Sequence, residues 1–170
     1  MKIKDIKAYE LLDSRGNPTV GVEVILSDES VGLALVPSGA STGKYEAIEK
    51  RDSQKDRYLG KGVLVAVNSI HNDILPLLRD KDASDLFGND LLMIEEDGTD
   101  SKGNFGANAI LAVSLACAKA AASSMKINLH EYINNKASEF YDRKIEQNLP
   151  IPMLNILNGG AHADNPIDFQ

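Results

Sequence analysis

A single cysteine, Cys117, serves 170 residues, which excludes an intramolecular disulfide, and no Cys and His grouping has the spacing of a zinc site. Basic residues are outnumbered: 18 Lys and Arg face 25 Asp and Glu, for a formal net charge of −7 and a pI near 4.9. That balance argues against nucleic acid or an anionic membrane surface as the partner and leaves room for an anionic small ligand. A continuous apolar run is missing from Met1–Lys7, so no secretory signal is expected there. The longest weakly polar stretch, Ala107 to Ala118, contains Asn108 and Ser114 and stops at Lys119, too short to span a bilayer. Internal repeats and low-complexity tracts are lacking as well. The expected setting is a reducing cytoplasm. What is present is ordinary globular composition, 43% hydrophobic and 25% charged, in a length that suits one domain or one plus part of another. It is long enough to bury a core without staples.

The first forty residues read as β. Ile3 to Leu12 is a strand, and Asp13-Ser14-Arg15-Gly16-Asn17-Pro18 is a turn cluster. Thr19 to Leu26 carries Val20, Val22, Val24 and Leu26 at a period of two, and Val31 to Val36 repeats the pattern with Val31, Leu33 and Leu35. Short connections predict an antiparallel three-stranded meander. A loop of small residues, Pro37 to Gly43, follows, with a short helical piece expected near Lys44. Val63, Val67, Ile70, Ile74 and Leu77 or Leu78 have helical spacing, with Pro76 near the end. Helices are also predicted at Asp90 to Glu95, at Ala107 to Met125 with Ile110, Leu111, Leu115 and Ala118 on one face, and at Leu129 to Ala137. Strands followed by helices make an α+β domain over residues 1–137. Residues 138–148 read as a linker, and Met153 to Leu157 as a new apolar strand ending in Asn158-Gly159-Gly160.

Taken alone, the motifs fall short of a reaction. Ser38 to Lys44 fails as a phosphate-binding P-loop: three residues, not four, separate Gly39 from Gly43, and Tyr45 follows Lys44. Glu95 to Asp100 lacks the alternation of a calcium loop and reads as a solvated acidic helix end. His162, after the Gly-Gly turn, could contact phosphate, shuttle a proton or bind metal, or be plain surface. His71 and His130 lie in helix patterns and read as structural or exposed. Cys117 reads as core packing, since no charged group nearby would activate it.

Four stretches together resemble the enolase family: Asp13-Ser14-Arg15-Gly16-Asn17-Pro18-Thr19, Val36-Pro37-Ser38-Gly39-Ala40-Ser41-Thr42-Gly43, Gly106-Ala107-Asn108-Ala109-Ile110-Leu111, and Pro150 to Gln170 with its Asn158-Gly159-Gly160-x-His162-Ala163. They occur in family order along the whole chain. The resemblance implies an N-terminal domain, a three-stranded meander plus helices, and then the start of a (β/α)8 barrel at 149–170. A barrel needs roughly 250 residues, so a truncated catalytic domain is expected. The implied reaction interconverts 2-phosphoglycerate and phosphoenolpyruvate with two Mg2+ ions, a lysine base and a glutamate acid. No catalytic residue of that set matches a position in this chain.

What the resemblance carries over is limited. Ser41 matches the loop serine that ligates the second magnesium, and Ala40 approaches substrate through its backbone. His162 matches the histidine near the substrate phosphate, and Gln170 a substrate-contacting glutamine. The family also implies a homodimer. Gly21 stands where an acidic interface residue is common, while Arg15 of the same interface is kept. Ala161, Pro166 and the linker also depart from the family pattern. Two functions follow as expectations: a glycolytic lyase whose 170-residue portion is inactive alone, or a non-catalytic enolase-like module for interaction or dimerisation.

Overall fold

The computed structural model describes residues 1–36, 38, 43–157, 159, 164 and 166. Three strands, β1 (Ile3–Leu12), β2 (Pro18–Leu26) and β3 (Val31–Leu35), form an antiparallel meander in the order β1-β2-β3. The register pairs Ala8 with Val22 and Val22 with Ala34, so these side chains share the inner face with Ile6, Val20, Val24 and Val36. Glu10 has the same inward parity at the end of β1. Its carboxylate is only 8% exposed and is neutralised by a two-pronged pairing with Arg57. The outer face bears Tyr9, Leu11, Val31, Leu33 and Leu35, all exposed.

The helical half begins with α1 (Leu64–Ser69), which runs through a π turn, Ile70–Ile74, into α2 (Leu75–Leu78). Its first turn is capped from outside: Asp52 Oδ1 accepts the Val65 N–H at 2.8 Å, and Glu10 Oε2 accepts that of Val63 at 2.7 Å. Arg57 bridges the two carboxylates. The run packs its buried Val67, Ile70, Ile74 and Leu78 toward β1, and Nε2 of His71 accepts the Ala8 N–H at 3.0 Å. Helix α3 (Leu86–Asp97) starts at the Asp85 cap and stops at Gly98 with φ of 67°. Helix α4 (Ala107–Met125) lies across β2 and β3, and α5 (Leu129–Phe140) opens with an Asn128–Glu131 capping box.

Alanine, not leucine, makes the sheet-facing side of α4. Ala109, Ala112, Val113, Ala116 and Ala120 are buried, whereas Leu111 and Leu115 are exposed. Of the face expected to carry Ile110, Leu111, Leu115 and Ala118, Ile110 and Ala118 are buried, whereas Leu111 and Leu115 are not. The cause is close approach: a Cβ built on Gly32 of β3 would lie 2.1 Å from the Ala116 carbonyl oxygen, so only small residues fit between helix and strand.

Other expectations are corrected. No helix starts near Lys44, because the following segment is committed elsewhere. Ile48 N–H donates to Ser101 O at 2.7 Å, Ala107 N–H to Ile48 O at 2.8 Å, and Asn108 holds both backbone groups of Lys50. Helix α3 exceeds Asp90–Glu95 at both ends, and α5 runs three residues into the expected linker. Residues 151–157 form no strand: among the described residues no strand pairs with them, and their side chains are exposed. Asp97 is buried, not a solvated helix end. Pro76 does precede the helix end, since Arg79 leaves helical geometry.

Candidate functional site

The predicted site residues Ala40, Ser41, His162 and Gln170 all lie outside the described residues. Of the predicted loop, the structure describes its roots, Ser38 and Gly43, and of the Gly-Gly turn it describes Gly159 and Asp164.

The Ser38 root is built into a polar cleft of about 450 Å³, lined by Asp13, Arg15, Asn17, Ser38, Glu49, Arg51 and Lys61. The β1–β2 turn supplies the first three. Asp13 Oδ1 accepts the N–H groups of Arg15 and Asn17, each at 2.8 Å, which folds the turn over its own side chain. Those two hydrogen bonds, the Asn17 one foremost, hold the Asp13 carboxyl below the usual carboxylate range. The turn then presents Arg15 outward, and its Nη2 donates to the Ser38 carbonyl at 2.9 Å.

The Ser38 hydroxyl is held from the other side. It donates to Glu49 Oε2 at 3.2 Å and accepts from Arg51 Nη2 at 3.2 Å, while Arg51 also pairs with Glu49 Oε1 at 2.9 Å. Arg51 Nη1 reaches the carbonyls of Pro18, at 3.1 Å, and Lys61. One guanidinium thus ties the start of β2, the loop root and the approach to α1. Lys61 closes the cleft by donating to Asn17 Oδ1 at 3.0 Å. Sequence reading found Arg15 within a turn and missed Glu49, Arg51 and Lys61, which carry no motif.

This cleft anchors a loop and does not fit a metal. Both Glu49 oxygens and Asp13 Oδ1 are already engaged. Among the described residues no three His, Cys, Asp or Glu side chains gather to hold an ion. Cys117 is buried in the core, and burial pushes its thiol up to about 12, so it is not a nucleophile.

Gly21 lies on the outer sheet face between Tyr9 and Leu35, and the Leu11 side chain covers the place of its missing Cβ, at 2.6 Å. Comparison with known families finds two adjacent matches. Residues 3–133 match the enolase N-terminal domain, and residues 146–170 match the enolase C-terminal TIM barrel domain.

Proposed function

We propose, since the chain belongs to the enolase family, that it is the N-terminal portion of a glycolytic lyase interconverting 2-phosphoglycerate and phosphoenolpyruvate in the cytoplasm. The match over residues 3–133 carries the reading, followed in order by the barrel match. The cleft at Ser38 supports it. Arg15, Glu49 and Arg51 fix one end of the segment that holds Ala40 and Ser41. Fixing a loop root lets the backbone beyond it present groups to substrate at low entropic cost.

Within this reading Ala40, His162 and Gln170 contact substrate and Ser41 offers one oxygen to Mg2+. The Asp13 and Glu49 carboxylates at the loop root are engaged by hydrogen bonds and do not hold that ion. The family's base, acid and main metal carboxylates match no position in residues 1–170. The purified chain alone is therefore expected to be inactive.

The test is to capture the protein from its natural source with an antibody against residues 1–140, weigh it, and assay it with Mg2+ and 2-phosphoglycerate. Formation of phosphoenolpyruvate by the captured protein is expected; a captured protein that binds no substrate and turns none over would overturn the reading.

The exposed outer sheet face favours association as well. Tyr9, Leu11, Leu33 and Leu35 are exposed on that face, with the Lys7–Glu23 pair beside Leu33. A second copy of the protein is its proposed occupant, giving a homodimer. Leu33→Lys should shift the captured protein toward monomer in sedimentation equilibrium. An unchanged mass would remove this face from the dimer.

A further inference from the structure

Helix α5 does not hand the chain straight on. It stops at Tyr141, and Asp142 follows with a φ of 47°, a left-handed turn that aspartate tolerates better than most residues. Aromatic contacts brace this turn. The Phe140 ring lies 5.0 Å from that of Phe87 on α3, Tyr141 meets Phe140 edge-on at 5.1 Å, and the Arg143 guanidinium sits 5.8 Å from the centre of the Tyr141 ring.

Past the turn the chain is fastened to α5 again. The Ser138 carbonyl accepts the Arg143 N–H at 3.1 Å, and the Ser138 hydroxyl oxygen accepts the Ile145 N–H at 3.0 Å. Asn134 Nδ2 then donates to the Ile145 carbonyl at 3.1 Å. Asn134 and Ser138 stand one helical turn apart on one side of α5. Residues 143–148 therefore run antiparallel to the helix, towards its start. A groove of about 520 Å³ lies between Leu129, Ile133 and Ala137 on the helix and Glu146, Gln147 and Asn148 on the returning chain. Ile145 is half-buried, whereas the other residues of 141–150 are exposed.

We propose that residues 141–148 are a strap belonging to the N-terminal domain, clipped at Ile145 by Asn134 and Ser138. The hinge to the barrel segment is then Leu149–Pro152 and not the end of α5. Leu149 and Ile151 stand 96% and 89% exposed, and Pro150 and Pro152 hold the residues before them extended. The barrel match starts at residue 146, so its first residues lie against α5. The clip moves the point of departure back along the helix by about 15 Å. Opening it releases up to about 26 Å of slack between domain and barrel segment. The strap is a conformational device, and it rests on no reading of the reaction.

Two measurements on the 170-residue chain at low concentration test it. In NMR relaxation the backbone amides of residues 143–148 should be as rigid as those of α5, with fast motion setting in from Leu149 onward. Amides of residues 143–148 as mobile as those of Met153–Leu157 overturn the strap, and rigidity that continues through Met153 overturns the hinge. The second measurement is trypsin cleavage at the Lys144–Ile145 bond. A protease needs several extended residues across its site, so cleavage beside a clipped Ile145 reports the open strap. The parent should be cut several-fold more slowly than a free peptide of residues 139–150; equal rates overturn the clip without recourse to any variant. Asn134→Asp keeps the side chain's size and removes its donor, and Ser138→Ala removes the acceptor. Each should raise cleavage about five- to tenfold, while the unfolding midpoint stays within about 2 °C. Ser138→Thr, which keeps the hydroxyl, should stay within about twofold of the parent. Unchanged cleavage in both Asn134→Asp and Ser138→Ala overturns the clip.

Discussion

Asp97 closes α3 from inside the fold. It is 1% exposed, and its Oδ2 accepts the Phe105 N–H at 2.7 Å while Oδ1 takes the N–H and hydroxyl of Thr99. Burial would raise its pKa, yet the Phe105 and Thr99 donors outweigh burial and hold it below the usual carboxylate range. A carboxyl lowered on folding stabilises the protein above its unfolded pKa, and that contribution is lost as pH falls through the folded pKa. Asp97→Asn puts an amide N–H₂ toward one of these donors. It should cost about 2–3 kcal/mol at neutral pH. Urea unfolding should show the gap between variant and parent shrinking below the ordinary carboxylate pKa of about 3.9. A gap independent of pH would mean that the charge is not what Phe105 and Thr99 recognise. At the loop root, Arg51→Lys keeps the charge but cannot span Pro18, Ser38 and Lys61 at once. A loss of about 1–2 kcal/mol is expected in the same assay. Lys61→Gln, removing one exposed hydrogen bond, should stay within about 0.5 kcal/mol.

Elements here are decided by how closely they approach. Gly32→Ala would drive a methyl against the Ala116 carbonyl and the Ala120 nitrogen, both backbone atoms of α4 that cannot swing aside. Thermal unfolding should show a loss of about 1–3 kcal/mol or more. Gly16→Ala is the contrast: open space surrounds that position, and only its φ of 76° is strained, so about 1 kcal/mol is expected. If the two variants cost the same, the α4–β3 spacing is looser than described. This contact also explains what was legible beforehand. The period-two valines of β2 and the alanine run of α4 gave both elements to within a residue, because each is set by local pattern. Which side of α4 met the sheet was not legible, since that depends on Gly32, over 80 residues away. The loop root was invisible for the same reason. Arg51 reaches partners 10 and 33 residues distant, with no periodicity between them. The turn at Asp13 was legible because its hydrogen bonds stay within four residues.

Across the whole molecule, apolar burial is unequally shared. The meander and helices enclose one core from Ile3 to Tyr132, while Leu149, Ile151 and Met153 stand 96%, 89% and 96% exposed outside it. Leu154 and Ile156 are exposed too, so Met153–Leu157 presents four apolar side chains, outside any strand among the described residues. A short, exposed apolar segment is a template for pairing between chains, and Pro150 and Pro152 on its N-terminal side restrain it. The purified 170-residue chain should therefore associate through this segment as its concentration rises. Leu154→Lys with Ile156→Lys should return it to monomer in sedimentation velocity. Because neither side chain packs on the core, the unfolding midpoint of the domain should stay within about 1 °C, the shift of a surface change worth a few tenths of a kcal/mol. The two readouts separate the possibilities. If the double variant still associates, the outer face of the meander is the sticky surface, and Leu33→Lys should abolish the association instead. If its unfolding midpoint falls by several degrees, residues 153–157 pack on the domain in solution, and the division between the core and an exposed segment outside it fails.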